Sequence, residues 1–280
     1  GVSSYRESGR ELTSDGLRAL VGRTDPDGLG TSGLEMQFDM LLAGVNGREV
    51  REVSAKGQSI PATQDDSVLA IPGKTLVTTI DRNIQFQVDG ILAQQIARLQ
   101  ARSGTAIVMD SATGEIFAMS TLRLNEDGTY SADSGNIAAV EANEPGSVAK
   151  VFSIAAAINE GKVDATSSFN VPPVFVANKG TQWENVLRDA YPHDLEEMSV
   201  RKIFVDSSNV GTLMVGQTIG PDKLHDYLQS FGFGAKSAVD FPGETKGISQ
   251  SSDKWVGSQK FTTSYGYGYA TTALQLIAGV

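Results

Sequence analysis

The chain has 280 residues, a length at which two domains and a sizeable core are expected. Its formal net charge of -10 argues against nucleic acid and anionic membrane surfaces as partners. The absence of cysteine excludes disulfides, thiol catalysis and thiolate metal sites. No apolar stretch is long enough to span a bilayer, since the longest lies within residues 151–158.

The first part of the chain, residues 1–67, is rich in glycine, charge and turn signals. Its Asn46-Gly47 pair is typical of a hairpin turn and is followed by the alternating segment "REVREV". We therefore predict a small strand-rich module over residues 1–67. A short linker then leads to a second domain over residues 75–280, which ends on an apolar segment at Val280 without a cap or polar tail. We expect both ends of the chain to be cuts in a longer protein.

The second domain begins with local patterns that predict secondary structure directly. Apolar residues recur at helical spacing over residues 84–102. Two apolar runs joined by a polar, glycine-containing turn predict a hairpin over residues 105–120. After Ser147, alanine, isoleucine, valine and phenylalanine fill nearly every position as far as the predicted C-terminal cap at Gly161, which indicates a buried helix.

Lys150 lies in the first turn of this apolar helix, where the helix dipole disfavours a cation. Ser147 and Lys150 are spaced i and i+3, which places a hydroxyl and an amine on one face. Burial and the helix N-terminus both lower a lysine pKa, and a neutral lysine can accept the serine proton. The pattern therefore predicts Ser147 as a nucleophile and Lys150 as its general base.

The Ser-x-x-Lys pattern alone is weak, because it occurs three times in this chain. In the second copy, which ends at Lys202, Ser199 has the position of an ordinary helix N-cap. The third copy, Ser251 to Lys254, lies in a polar segment. Only the copy at Ser147 follows a Pro-Gly turn and precedes an apolar helix.

Two further patterns leave alternatives open. The segment "DSSNVG" is either a helix cap or a catalytic Ser-x-Asn element, in which Ser207 relays protons and Asn209 binds a substrate carbonyl. Tyr265, Tyr267 and Tyr269 alternate beside glycines, and they either line a cleft or pack in the core.

The two histidines, His193 and His225, are far apart in sequence and give little support to a zinc site or a Ser-His-Asp triad. We interpret each as a surface or structural residue. The sequence predicts no metal site and no cofactor. "PGKT" lacks the upstream glycine of a phosphate loop, and "GYGYAT" lacks the third glycine of a dinucleotide fingerprint.

Taken together, these motifs resemble those of a class B penicillin-binding protein, a monofunctional peptidoglycan D,D-transpeptidase. "EPGSVAK" and "SSNVG" resemble the nucleophile and Ser-x-Asn motifs of that family. "TIDRNIQ", "MDSATGEIFAMS", "FGFG", "FPGE" and "GYGYATTALQL" resemble other segments of its transpeptidase domain. "GLGTSGLEMQFDMLLAGVNGREVREVSAKGQSI" resembles the pedestal, or dimerisation, domain, and its shortness is more similar to the division-type branch than to the elongation-type branch.

The resemblance implies an α+β transpeptidase fold, an antiparallel sheet with helices, preceded by the strand-rich pedestal. It implies that Ser147 forms the acyl intermediate, that Lys150 is its base, and that Ser207 and Asn209 handle proton relay and substrate contact. The Ser147 N–H would be one oxyanion donor. The serine would attack a D-Ala-D-Ala stem peptide and pass the acyl group to an amine on a neighbouring strand, and penicillins would acylate it too.

One family motif, Lys-Thr-Gly or Lys-Ser-Gly, does not occur in this sequence; Lys236-Ser237-Ala238 is the closest match and lies in a different place. The strand that would carry the motif lies beyond Val280 in the family. We therefore expect the transpeptidase domain to be C-terminally incomplete and the pedestal N-terminally incomplete. This piece alone is expected to be inactive and marginally stable, although the parent protein is an enzyme.

The alternatives are a β-lactamase or β-lactam sensor of the same acyl-serine fold, and a non-catalytic scaffold for cell-wall synthesis. The pedestal argues against the first, and the presence of both Ser147 and Lys150 argues against the second. The resemblance implies stem peptides, β-lactams, a membrane glycosyltransferase and other cell-wall-synthesis proteins as partners. It also implies a location on the outer face of the bacterial cytoplasmic membrane, with an N-terminal anchoring helix that this chain lacks.

Overall fold

A computed structural model describes most of the chain, namely residues 15–48, 54–56, 68–132 and 135–280. The chain divides into two compact units, Gly1–Ile137 and Ala138–Val280. The predicted domain boundary between residues 67 and 75 falls partly outside the described residues and stays a prediction. None of the described helices combines the length and the apolar character that a membrane crossing requires.

The described N-terminal part of the first unit contains short helices and one pair of short antiparallel strands. The helices are α1 (Arg18–Val21), α2 (Gly33–Gln37) and α3 (Asp39–Leu42), and the strands are β1 (Arg23–Thr24) and β2 (Gly30–Ser32). Helix outweighs strand in this part, where the sequence predicted mainly strands. The segment that forms α2 and α3 is rich in leucine, methionine, glutamate and glutamine, which favour helix.

The predicted hairpin at Asn46-Gly47 lies mostly outside the described residues, because residues 49–53 are among those not described. The residues on either side of this pair form isolated antiparallel bridges with a later segment. Val45 pairs with Ile71, and Arg48 pairs with Val68.

Helix α4 (Arg82–Leu99) confirms the helix predicted from apolar spacing. Asp81 caps its N-terminus, because one carboxylate oxygen accepts from the Asn83 and Ile84 N–H groups over 2.8 and 3.0 Å. The Gln85 side chain accepts from the Met119 N–H over 2.9 Å and donates to its carbonyl over 3.2 Å. These two bonds fix the start of α4 against the strand that contains Met119.

That strand belongs to an antiparallel sheet in the order β3-β4-β5. The strands are β3 (Ser103–Met109), β4 (Ile116–Leu124) and β5 (Tyr130–Ala132). Strands β3 and β4 pair with Ala106 opposite Ser120, which confirms the predicted hairpin. Asp110 closes its turn by accepting from the Ala112 and Thr113 N–H groups, each over 2.8 Å.

The second unit is mainly helical, with two pairs of short antiparallel strands. Its helices are α5 (Ile137–Val140, which starts at the unit boundary), α6 (Lys150–Asn159), α7 (Val200–Val205), α8 (Asn209–Gln217), α9 (Gly220–Ser230), α10 (Gln259–Thr262) and α11 (Ala273–Gly279). Strand β6 (Ser168–Val171) pairs with β9 (Glu196–Ser199), and β7 (Val174–Ala177) pairs with β8 (Asn185–Arg188).

Helix α6 lies at the centre of this unit and packs against both α8 and α9. On one side, Phe152 contacts the rings of Phe231 and Phe233 at centroid distances of 4.9 Å each. On the other side, Ile154 and Ala157 belong to a buried cluster that includes residues of α7 and α8. The apolar run after Ser147 therefore forms a fixed support for Lys150, the first residue of α6.

Candidate active site

Ser147 lies in a 3-10 turn, Gly146–Ala149, that leads directly into α6. Ser147 is exposed, whereas Lys150 is only 1% exposed. The turn is held by a backbone hydrogen bond in which the Gly146 N–H donates to the Gly266 carbonyl over 3.0 Å. This arrangement places the hydroxyl at the surface and the amine in the interior, at the same end of one helix.

The Lys150 amine reaches across to the turn that precedes α8. It donates to the Ser207 hydroxyl over 2.9 Å and also to the Ser207 carbonyl. Within the part of the chain that the structure describes, the Ser147 hydroxyl makes no hydrogen bond, and Lys150 donates to Ser207 instead. The structure therefore joins Lys150 to Ser207 directly and leaves the Ser147 hydroxyl open to solvent.

The environment of Lys150 favours the neutral amine. Burial lowers its pKa from 10.5 to about 8, and the negative charge of Asp189 opposes part of this shift. An amine with such a pKa is partly unprotonated near neutral pH, as a general base must be. The lysine that is unfavourable as a cation in the first turn of an apolar helix is thus shifted by its burial towards the neutral form.

Ser207 and its neighbour Ser208 divide the roles that the sequence left open. Ser208 is the N-cap of α8, because its hydroxyl accepts from the Gly211 N–H over 2.8 Å. Ser207 adopts a left-handed conformation with φ of 55°, which is uncommon for a residue other than glycine. The helix cap is therefore the second serine of the pair, and the first serine contacts Lys150.

Asn209 is the first residue of α8. Its side-chain amide donates to the Arg188 carbonyl at the end of β8 over 2.9 Å. Asn209 also lines a cleft of about 730 Å³. Among the predicted site residues, the structure thus brings Ser207 to Lys150 and places Asn209 on the cleft wall.

The three tyrosines meet both alternatives, because Tyr265 is itself only 6% exposed and packs with Leu187 and Leu213, although it also lines the cleft. Tyr265 and Tyr267 line it, with their rings in edge contact at 5.8 Å. Tyr269 is 5% exposed and stacks on Phe233 in the core. Burial raises the pKa of Tyr265 to about 12, so this residue remains a protonated donor at neutral pH.

Asp189 is a residue of the site that the sequence analysis missed. Its side chain is 9% exposed and accepts from the Ser208 hydroxyl over 2.6 Å, from the Val210 N–H over 2.8 Å and from the His193 ring over 3.0 Å. The bonds to Ser208 and Val210 span 19 and 21 positions of the chain. In the sequence, the i, i+4 spacing of Asp189 and His193 was the one local signal that pointed to Asp189.

The histidines have structural surroundings. His193 and Ser208 each donate to Asp189 rather than to one another, an arrangement that differs from a Ser-His-Asp triad. His225 is buried edge-on against Trp255 at 6.1 Å. Within the described residues, no group of three or more histidine, aspartate or glutamate side chains is placed to hold a metal ion.

The other two Ser-x-x-Lys copies lie in different local structures, and Ser199 is the helix N-cap that the sequence predicted. Ser199 caps α7 by accepting from the Lys202 N–H over 3.2 Å. The Lys202 amine forms ion pairs on the surface, with Glu196 at 3.4 Å among its partners. The third copy ends in a short 3-10 turn at Lys254.

Two known family models match the sequence of this chain. Residues 104–280 match the family model described as the penicillin binding protein transpeptidase domain. The chain belongs to the penicillin-binding protein transpeptidase family. Residues 10–78 match the penicillin-binding protein dimerisation domain, so the dimerisation-type segment precedes the transpeptidase segment, as predicted.

Relatives match along nearly the whole chain. Penicillin-binding protein PbpB of Mycolicibacterium smegmatis is 35% identical, and the match covers 99% of this chain and 43% of PbpB. Peptidoglycan D,D-transpeptidase FtsI of Escherichia coli is 29% identical, with 99% of this chain and 46% of FtsI covered. The chain therefore spans less than half the length of these relatives.

The fold is that of a solved penicillin-binding protein. The structure superposes on penicillin binding protein 3 of Mycobacterium tuberculosis, solved in complex with ampicillin, with a TM-score of 0.75 and 30% identity. The match covers 94% of this chain and 54% of that one. This similarity confirms the predicted fold class, a mixture of helices and antiparallel strands with the transpeptidase fold.

Proposed function

We propose that this chain carries the acylation site of a peptidoglycan D,D-transpeptidase, with Ser147 as nucleophile and Lys150 as general base. The observation that carries the proposal is the Lys150 amine, which is 1% exposed, has a pKa lowered to about 8 and lies one helical turn from an exposed serine. A surface lysine with an ordinary pKa could not accept a proton near neutral pH. Membership of the penicillin-binding protein family supports the same reaction.

In the proposed first half-reaction, the Ser147 Oγ attacks the carbonyl carbon of the D-Ala-D-Ala amide of a stem peptide. The Lys150 Nζ accepts the hydroxyl proton as the C–O bond forms. The Ser147 N–H, in the first turn of the helix, is one donor to the oxyanion. The C–N bond then breaks, the proton passes from Lys150 to the leaving nitrogen, and D-alanine departs from the acyl-serine.

The second half-reaction reverses the roles. An amine of a neighbouring stem peptide attacks the acyl carbon and loses a proton to Lys150, and that proton returns to the Ser147 Oγ as the ester bond breaks. Ser207 accepts a hydrogen bond from Lys150 over 2.9 Å, so its hydroxyl can relay the proton. Asn209 lines the cleft of about 730 Å³ and can bind a carbonyl of the peptide through its amide.

β-Lactams would acylate the same serine, since their strained amide reacts by the same attack. The similarity to a penicillin-binding protein solved with ampicillin supports this part of the proposal. The name of the relative FtsI, a peptidoglycan D,D-transpeptidase, supports a role in peptidoglycan synthesis. We further propose that the role is of the division type, outside the cytoplasm and next to a membrane glycosyltransferase. An N-terminal membrane anchor would belong to the same proposal.

The test is D-alanine release by the protein encoded by the complete gene, given a synthetic stem peptide that ends in D-Ala-D-Ala and an amine acceptor. We expect free D-alanine and a cross-linked peptide from the wild type, and neither from Ser147→Ala. The matched control is Ser251→Ala, in a surface Ser-x-x-Lys copy, which should behave as the wild type. Rapid penicillin hydrolysis without cross-linking would instead indicate a β-lactamase, and a folded protein that forms no acyl-serine would indicate a scaffold.

A further inference from the structure

The carboxylate of Asp189 joins two elements of the second unit that are distant in sequence. Asp189 follows β8 directly, and its two oxygens accept from the Ser208 hydroxyl and the Val210 N–H at the start of α8, over 2.6 and 2.8 Å. The Asn209 amide adds a third bond in the same place, to the Arg188 carbonyl over 2.9 Å. The end of β8 and the first turn of α8 are therefore held together by three hydrogen bonds.

Ser207 is the residue immediately before this bonded turn, and its backbone is in the left-handed region with φ of 55°. Such a conformation persists in a residue other than glycine only where its surroundings fix it. The bonds from Ser208 and Val210 to Asp189 supply that restraint on the side of α8, and Lys150 supplies it on the side of α6. The position of the Ser207 hydroxyl therefore depends on Asp189.

Asp189 also acts on the lysine through its charge. Burial lowers the pKa of Lys150, and the negative charge of Asp189 raises it again in part. His193 donates to the carboxylate over 3.0 Å, and its own pKa is raised chiefly by its hydrogen bond to the Asp194 carbonyl. The other groups that act on this region are Glu196, through His193, and Tyr265, whose pKa the carboxylate helps to raise.

We propose that Asp189 is a positioning residue of the acylation site, which holds the Ser207–Asn209 turn against Lys150 and acts on the amine through its charge. This inference rests on the proposed function of Ser147 and Lys150. Asp189 itself touches neither the proposed nucleophile nor the proposed substrate. Its two effects are separable, because one depends on the hydrogen bond with Ser208 and the other on the negative charge.

The charge is tested with Asp189→Asn, and the matched control is Asp164→Asn. Asp164 also closes a turn, by accepting from the Thr166 and Ser167 N–H groups, but in an exposed loop. The pKa of Lys150 is followed by NMR in protein labelled at lysine and histidine. The titration of His193 is recorded in the same samples, so that its effect on the Lys150 signal is distinguished from the titration of Lys150 itself. We expect the pKa of Lys150 to fall in Asp189→Asn and to stay near 8 in Asp164→Asn. An unchanged value in folded Asp189→Asn would overturn the charge effect.

The hydrogen bond is tested with Ser208→Ala, which keeps the Asp189 charge and also serves if Asp189→Asn does not fold. Because Ser208 also caps α8, Ser199→Ala, which removes the cap of α7, is the control for loss of a helix cap. Penicillin acylation of the complete protein is measured against pH. We expect Ser208→Ala to be acylated about 10- to 100-fold more slowly than the wild type. The acid limb of its pH–rate profile, where the rate falls as Lys150 becomes protonated, should not shift. In Asp189→Asn the acid limb should move to lower pH, because less charge opposes neutralisation of the lysine.

The outcomes separate this inference from the proposed function. If the wild type is not acylated at Ser147, the proposed function is wrong, while the NMR titration still tests the action of Asp189 on Lys150. If the wild type is acylated but Ser208→Ala reacts at the same rate, the positioning role is overturned. If Asp189→Asn loses acylation rate equally at every pH, without a shift of the acid limb, the proposed action of the Asp189 charge on Lys150 is wrong and the role of Asp189 is structural.

Discussion

The Lys150 amine donates to the Ser207 hydroxyl over 2.9 Å, across 57 positions of the chain. This bond joins the first residue of α6 to the turn before α8. The positions of both residues are fixed by the secondary structure around them. Lys150 is part of a buried helix, and Ser207 is in a left-handed conformation next to the cap of α8. A proton taken from Ser147 by Lys150 therefore has a second hydroxyl within direct reach.

Replacing Lys150 by arginine should abolish the general base while keeping a positive charge. Arginine cannot be deprotonated in proteins, and general bases contribute about 10²- to 10⁴-fold to a rate. We expect Lys150→Arg to slow acylation by fluorescent penicillin at least about 100-fold. Lys254→Arg makes the same change in a surface Ser-x-x-Lys copy and should react at the wild-type rate. Equal rates for the two variants would remove Lys150 from the mechanism.

The stability of the protein should depend on pH through Lys150. The pKa of this residue is about 8 in the folded chain and 10.5 when unperturbed. Between these values the unfolded chain binds more protons than the folded one, so the free energy of unfolding rises with pH. The difference in this free energy between wild type and Lys150→Met should grow by up to about 3 kcal/mol across that interval.

Denaturant unfolding of both proteins at a series of pH values measures this difference. Lys150→Met lacks the titrating amine, so all other groups cancel in the comparison. A difference that stays constant from neutral pH to alkaline pH would mean that the lysine keeps its ordinary pKa in the folded protein.

The left-handed backbone at Ser207 should be visible in a pair of substitutions. A residue other than glycine in this region costs about 1–2 kcal/mol. Ser207→Gly relieves that cost and Ser207→Ala retains it, whereas both remove the hydroxyl that contacts Lys150. We expect the glycine variant to unfold with a free energy about 1 kcal/mol higher than that of the alanine variant. Both should lose acylation rate to a similar extent, and a more stable alanine variant would contradict the assigned conformation.

The contact between Gly146 and Gly266 should be sensitive to a single methyl group. Gly266 has φ of 95°, and a Cβ there would lie 2.0 Å from the Gly146 carbonyl oxygen. Gly161 has φ of 64° and open space around its Cβ position, which makes Gly161→Ala the matched control. Gly266→Ala should destabilise the protein by a further 1–3 kcal/mol, roughly the cost of overpacking, and should also slow acylation.

Thermal and denaturant unfolding of the two glycine variants measure the stability term, and fluorescent penicillin measures the effect at Ser147. Both variants place alanine at a positive φ, 95° at Gly266 and 64° at Gly161, so part of that backbone cost is common to the two. If Gly161→Ala is as harmful as Gly266→Ala, the turn that carries Ser147 is not held by the Gly266 segment.

Local signals in the sequence account for much of the fold. Helix α4 and the β3–β4 hairpin follow from apolar spacing and turn residues, which act within a few positions of the chain. The short helices near the N-terminus were not predicted, because the helix-favouring segment is short and lies among dense turn residues. The first turn after Gly146 is 3-10 rather than α, a local detail that residue spacing does not determine.

The site was predictable only where its parts are close in sequence. Ser147 and Lys150 are spaced i and i+3, so their placement at the same end of one helix follows from spacing. The partner of Lys150 lies 57 positions away, and only the resemblance to a family suggested Ser207. The contacts of Asp189 with Ser208 and Val210 depend on the tertiary contact between β8 and α8, and apart from its i, i+4 spacing to His193 neither pattern nor resemblance indicated Asp189. The choice of Ser208 as the cap likewise needed the structure.

The most direct test of the account is to map the covalent adduct that penicillin forms with the protein from the complete gene. Intact mass spectrometry after incubation with benzylpenicillin should show a single adduct. Digestion should place that adduct on the peptide that contains Ser147, and Ser147→Ala should show none. An adduct on Ser199, Ser207 or Ser251, or a folded protein that forms no adduct at all, would contradict the assignment of Ser147 as the nucleophile.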